Sequence, residues 1–208
     1  MFHTAASHVP RFAALLSELA PAVDAEHVVR EDLLVEARAR GGVDKALSEV
    51  FAASLTTLAR SREAALCTCS TFGAHAESLG KALGKPVVRI DRPLAQAAVA
   101  QGLRIVIVAA LESTLEPTQT LFEAEATRAH KPVTLTLVHA AAAWGCFERG
   151  DEAGYLRVVA AQVDRAAEQG DVIALAQASM MGAEAFVQTT KPVLSSPRLG
   201  LQAALALL

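Results

Sequence analysis

The sequence predicts an α/β protein made of two similar lobes, each a small parallel sheet flanked by helices. Three observations carry that expectation. Short β-branched runs alternate with longer alanine-rich helical patterns, the order expected of βα units on a parallel sheet. The chain also repeats itself: Cys69-Ser70-Thr71, after the apolar run Ala64–Cys67, returns 108 residues on as Gln177-Ala178-Ser179, after Val172–Ala176. Lys85-Pro86-Val87 and Gln96-Ala97-Ala98 return 106 residues on as Lys191-Pro192-Val193 and Gln202-Ala203-Ala204, and Ser7-x-x-Pro10 returns 107 on as Thr114-x-x-Pro117. Finally, a register this constant is too long for a solenoid unit and divides 208 residues, 52% of them hydrophobic, into two domains of ordinary small size. The lobes are expected at residues 1–101, carrying Cys69, and 102–208, carrying Gln177, tightly packed, with the last helix free to cross over.

In chain order, the alanine- and leucine-rich segment Val9–Leu19 reads as the first helix and the β-branched run Asp24–Val29 as a strand. Helices Asp32–Arg40 and Asp44–Arg60 follow, then strand Ala64–Cys67, helix Ala74–Leu83, strand Pro86–Ile90 and helix Pro93–Gln101. The second lobe gives strand Leu103–Ala109, helix Glu116–His130, strand Val133–Val138, helix Tyr155–Gln169, strand Val172–Ala176, helix Met180–Gln188, strand Pro192–Leu194 and helix Leu199–Leu207. Gly84, Gly102 and Gly170 each follow a helical run, where a left-handed cap is expected. The repeat sets His3 against Ala110, so the counterpart of Leu103–Ala109 is almost missing from the first lobe. Either the start lies upstream or the lobe tolerates a stub.

Net charge is −3 with no basic block, which argues against nucleic acid as a partner. The longest apolar run, Ile105–Leu111, is far short of the ~20 residues that span a bilayer, and Met1-Phe2-His3 does not open a secretory leader. Three cysteines do not make a disulfide framework, so a reducing cytoplasm is the default compartment. Alanine-rich helical faces suggest a homodimer.

Ligands of open parallel sheets bind beyond the carboxyl ends of the strands. The segments leaving those ends are rich in hydroxyls and small residues: Thr4 and Ser7, Cys69-Ser70-Thr71, Arg92, Ser113-Thr114, His139 and Ser179. Hydroxyls at a helix start can cradle a carboxylate or phosphate, although each can equally cap its own helix. Cys69 stands between a strand and a helix, where an exposed sulfur would have its pKa lowered. Cys67 reads as core and Cys146 as structural. His3 and His139 follow strands; His8, His27, His75 and His130 have no such position. A metal site would need a His, Asp or Glu cluster at ligand spacing, and the sequence has none.

In Leu66-Cys67-Thr68-Cys69-Ser70-Thr71-Phe72-Gly73, in Ala109-Ala110-Leu111-Glu112-Ser113-Thr114, in Leu175–Met180 and in Pro192–Pro197 the chain resembles the aspartate/glutamate/hydantoin racemase superfamily. The resemblance covers essentially all 208 residues. It implies two pseudo-symmetric flavodoxin-like lobes with the active site in the cleft between them, a small carboxylate or amino-acid derivative as substrate, and no cofactor. In the family's racemases one cysteine removes the α-proton and a second delivers a proton from the opposite face. Cys69, in Cys-Ser-Thr, falls on the first, against the family's Cys-Asn-Thr; the second falls on Gln177.

An amide neither abstracts nor delivers a proton at neutral pH, whereas a thiol does both. Gln177 can donate a hydrogen bond to an oxyanion but cannot be the second base. Cys69 and Gln177 are therefore the expected catalytic pair of an isomerase-like enzyme with one acid–base, in which Thr4, Ser7, Ser70, Thr71, Arg92, Ser113, Thr114, His139 and Ser179 bind substrate. The superfamily's decarboxylases and cis–trans isomerases suit one cysteine better than two-thiol racemisation does. The competing class is a carboxylate-binding protein that does no chemistry, with a Cys69 of ordinary reactivity.

Overall fold

The computed structural model describes residues 1–208. Its strands are β1 (Phe2–His3), β2 (Val28–Val29), β3 (Ala65–Cys67), β4 (Val87–Arg89), β5 (Arg104–Ala109), β6 (Thr134–His139), β7 (Val172–Leu175) and β8 (Val193–Ser195). They form two four-stranded parallel sheets of identical topology, β2-β1-β3-β4 and β6-β5-β7-β8. The helices are α1 (His8–Leu19), α2 (Glu31–Ala39), α3 (Lys45–Ser61), α4 (Gly73–Leu83), α5 (Arg92–Gln101), α6 (Glu112–Arg128), α7 (Ala141–Glu148), α8 (Glu152–Ala166) and α9 (Ser196–Leu205). None is long and apolar enough to cross a membrane.

The chain divides into a first unit, Met1–Asp91 with Pro197–Leu208, and a second unit, Arg92–Ser196. A single cut at 101/102 does not describe this division, because α5 goes with the second unit and most of α9 with the first. The reason for α9 is a close approach: a Cβ on Gly200 would stand 2.5 Å from Ile90 O, so only glycine lets the helix lie against the end of β4.

Each unit has its own core. In the first, α2, α3 and α4 cover one face through Leu33, Ala37, Phe51, Leu55 and Ala76, packed on Phe2, Ala65 and Cys67. Phe51 bridges the layers, edge-on to Phe2 at 5.1 Å and stacked on Phe72 at 4.7 Å, pairs that contribute about 0.5–1.5 kcal/mol each beyond area burial. In the second, Tyr155, Val159 and Val163 of α8 pack on Val106, Val108, Ile173 and Leu175. The central strands β3, β5 and β7 are largely apolar and buried because helices cover them.

Two expected features differ. Met180–Gln188 is not an α-helix: single 3₁₀ turns at Ala178–Met180 and Ala183–Ala185 flank Gly182, whose φ of 102° stops helix propagation. The segment Ala141–Glu148, absent from the expected elements, is α7, with Trp144 and Phe147 stacked at 4.6 Å and packed against the core. Of the three glycines, Gly84 is the left-handed cap of α4 (φ 62°), while Gly102 and Gly170 are not left-handed. Gly102 and Gly170 instead make room for Asp171 and Val106, which a Cβ would meet at 2.9 and 2.8 Å.

β1 covers Phe2–His3, and hydrogen bonds fix its register. Thr68 N donates to Phe2 O as Ala176 N donates to Val108 O, and Arg30 N donates to His3 O as Ala140 N donates to Ala109 O. His3 is therefore the counterpart of Ala109, one residue from the Ala110 that the sequence repeat suggests.

Candidate functional site

In the first unit β1, β3 and β4 bring His3-Thr4, Thr68-Cys69 and Asp91 to the carboxyl end of the sheet. Cys69 leaves β3 in extended conformation (φ −111°, ψ 116°) and the chain turns at once through the 3₁₀ turn Ser70–Phe72 into α4. This turns the backbone back over Cys69, whose carbonyl accepts from Phe72 N at 3.2 Å. The thiol is buried, at 8% exposure, so the sequence expectation of an exposed sulfur with a lowered pKa is overturned. Burial pushes the Cys69 thiol up; hydrogen bonds from the Thr4 hydroxyl, from the Phe72 and Thr71 N–H groups and from the Thr71 hydroxyl pull it back. Cys67, one strand position beneath, is fully buried with its Sγ donating to Cys69 O, and burial raises its thiol as well.

Behind Cys69 lies an ion pair. Arg89 Nε and Nη2 donate to the two carboxylate oxygens of Asp91 at 2.6 and 2.9 Å, with side chains 4% and 0% exposed. Gly73, the first residue of α4, gives the guanidinium its place: a Cβ there would stand 2.6 Å from Arg89 Nε.

The sequence missed a histidine cluster beside Thr4. His3 Nδ1 contacts Thr68 Oγ1 and His3 Nε2 contacts His27 Nδ1, both at 2.9 Å, and His8 meets the His3 ring edge-on at 6.2 Å. Thr68 Oγ1 donates to Phe2 O, so it accepts from His3 Nδ1–H, and His3 Nε2 accepts from His27. Burial pushes His3 down to about 3 and His8 to about 4. The cluster was unreadable because β1 is two residues long and only its pairing with β2 places His27 next to His3.

A neutral histidine cluster predicts acid lability. The unfolded chain binds protons near the ordinary histidine value while the folded cluster does not, so stability present at neutral pH falls as pH drops from about 6.5 towards 4. Two such groups give a slope of up to about 2.7 kcal/mol per pH unit. Urea titrations across that range should show it, and His8→Asn should flatten it.

In the second unit Gln177 has the same position and nearly the same backbone as Cys69, φ −116° and ψ 139°, before the 3₁₀ turn Ala178–Met180. Its Oε1 accepts from Ala110 N at 2.6 Å and Leu111 N at 3.0 Å. The N–H groups that open the turn into α6 are thus satisfied by Gln177. Ser179 is buried with its hydroxyl on Tyr155 OH at 2.7 Å. Thr114 is buried, Ser113 Oγ is buried without a hydrogen-bond partner, and His139 is exposed at the end of the edge strand β6. Arg92 pairs with Glu125, which also binds Arg128; burial raises that carboxyl, and the Arg128 and Arg92 hydrogen bonds outweigh it and hold it below the usual range. In the first unit, Thr71 and Ser70 are buried in the Cys69 turn, whereas Ser7 is exposed and makes no side-chain capping bond. No group of three or more His, Cys, Asp or Glu side chains is placed to hold a metal ion.

Comparison with solved structures shows what this architecture is. A glutamate racemase isoform from Bacillus anthracis superposes with a TM-score of 0.75 at 13% identity, over 99% of this chain and 79% of that one. An allantoin racemase from Pseudomonas fluorescens gives 0.63 at 19% identity, over 99% and 88%. A doubly substituted variant of arylmalonate decarboxylase gives 0.55 at 17% identity, over 93% and 86%. The chain thus has the two-unit α/β fold shared by these racemases and this decarboxylase. No family model and no curated protein matches the sequence.

Proposed function

We propose that this protein is a cofactor-independent enzyme that moves a proton at the α-carbon of a small carboxylate or amino-acid derivative, with Cys69 as its one thiol acid–base. The carrying observation is the buried Cys69 thiol at the carboxyl end of the first sheet, at the turn into α4, where the Thr4 and Thr71 hydroxyls offset part of the cost of its burial. They stabilise the thiolate left after the sulfur gives up its proton, and burial keeps the resting thiol protonated. A protonated thiol with a prepared thiolate site suits proton donation to a carbanion or enediolate better than attack as a resting nucleophile.

Gln177 limits the outcome. With Oε1 held by two backbone N–H groups, its amide hydrogens can stabilise an oxyanion but not exchange a proton with carbon. The reaction is therefore one-sided: decarboxylation with protonation of the resulting enediolate, isomerisation about a double bond, or exchange with retention. The likeness of fold to both racemases and arylmalonate decarboxylase supports this range. A second reading, a carboxylate-binding protein without turnover, draws on the burial of the thiol.

A screen for solvent-deuterium incorporation over small chiral acids, amino acids, hydantoins and malonates separates the readings. The enzyme is expected to label at least one of these classes at the α-carbon. Saturable binding of such a compound with no label incorporated and no carbon dioxide released would support the binding protein instead. Gln177→Cys should add inversion to the exchange by restoring a thiol at the repeated position.

A further inference from the structure

The outer edge of the second sheet is open for pairing. β6, Thr134–His139, is that edge and is bonded on one side only, to β5. Thr134 N donates to Leu103 O and Ala140 N to Ala109 O, both at 2.7 Å. The N–H and C=O of one strand residue point to the same side, and successive residues alternate sides. Thr134, Thr136 and Val138 therefore face β5, while Leu135, Leu137 and His139 turn their main-chain groups outward.

Edges of this kind are normally blunted by shortness, proline or an inward-pointing charge. β4 and β8, at the opposite edges of the two sheets, follow that rule. Each has three residues; Arg89 of β4 is buried on Asp91, and β8 directly follows Pro192. β6 has six residues, and none is Asp, Glu, Lys, Arg or Pro. Leu137, at the middle outward position, keeps 38% of its surface exposed, and Thr134 and His139 are exposed at the two ends. The edge thus offers a row of main-chain donors and acceptors with no charged side chain to repel a neighbouring strand.

We infer that this edge is a dimerisation surface, on which β6 of a second copy lies antiparallel about a two-fold axis through Leu137. The outward row is its own complement in that arrangement. Leu137 of each copy exchanges both main-chain bonds with Leu137 of the other, and Leu135 does the same with His139, so every outward N–H meets an outward C=O. On one face Leu137 then stands against Leu137 and Leu135 against His139; on the other, Thr136 stands against Val138. The occupant is a second copy because this row is satisfied in full by itself, and the two-fold sets no like charges opposite one another. Strand addition at an open edge draws its affinity from the main chain and its selectivity from the alternate side chains. The surface lies wholly within the second unit.

Sedimentation velocity of the whole protein over a concentration series measures the association, and wild type is expected to reach twice the chain mass. Residue 137 meets itself across the axis. Leu137→Lys and Leu137→Glu should therefore each sediment as monomers, because like charges would stand directly opposite, and an equal mixture of the two should form dimers again. Leu137→Pro should be folded and monomeric, since the N–H it removes faces outward. Hydrogen exchange on wild type needs no substitution: the Leu135, Leu137 and His139 amides should gain protection as concentration rises through the dimer transition. A wild-type monomer throughout the series, a dimer untouched by Leu137→Lys, a Lys/Glu mixture that stays monomeric, or exchange at these amides independent of concentration would each overturn the assignment. None of these outcomes depends on Cys69.

Discussion

Cys69→Ala is expected to lower kcat by about 10²–10⁴-fold, the range of a lost acid–base group, with substrate affinity nearly unchanged. The Thr4 and Thr71 hydroxyls favour the thiolate against the burial that opposes it, so removing the sulfur takes away the proton and leaves those hydroxyls in place. Cys69→Ser is the sharper comparison. A hydroxyl keeps the size and the hydrogen bonds but holds its proton far more tightly than a thiol does, so it should be as inactive as alanine. A loss confined to kcat identifies an interaction made in the transition state. Equal turnover by Cys69→Ser and wild type would remove the thiol from the chemistry. Thermal unfolding separates this from a folding defect, since a buried Cys→Ser change touches little else.

Arg89→Ala is expected to be the most damaging single substitution for stability among those affecting the first unit's charges, at about 3–5 kcal/mol. Asp91 is completely buried and both its oxygens are held by the guanidinium. Without Arg89 the carboxylate must either stay charged and uncompensated or take up a proton. The pair itself does not account for that magnitude; the unpaired charge does. Replacing both residues by apolar ones of similar volume should therefore recover much of the loss. Gly73→Ala should reproduce part of the defect, because its Cβ would intrude on the guanidinium. Denaturant unfolding of the three variants decides this: if Arg89→Ala and the double apolar variant are equally unstable, the loss comes from packing rather than charge.

What the sequence could show depended on how local each signal was. β5 and β7 were readable because they are continuous apolar runs, and the repeat was readable because Cys69 and Gln177 sit in the same strand-to-turn geometry. The histidine cluster was not, because His3, His8 and His27 are brought together by two-residue strands whose pairing no periodicity announces. The state of the Cys69 thiol was misjudged for a related reason. A position before a helix start says that N–H groups are near, but not how deeply the sulfur is buried, and burial dominates here. The role of Gln177 Oε1 was likewise invisible, since it needs the turn at Ala110 and Leu111 in space. The placement of α9 with the first unit goes with Gly200 against Ile90, a contact between distant segments.

The account stands on chemistry from one side of the reacting carbon, and deuterium and configuration followed together in one sample address it most directly. On a chiral acid that the enzyme labels in heavy water, the prediction is that the α-position fills with deuterium while the configuration stays that of the starting enantiomer. Loss of optical purity at the rate of labelling would contradict it, because a second proton donor would then have to take part.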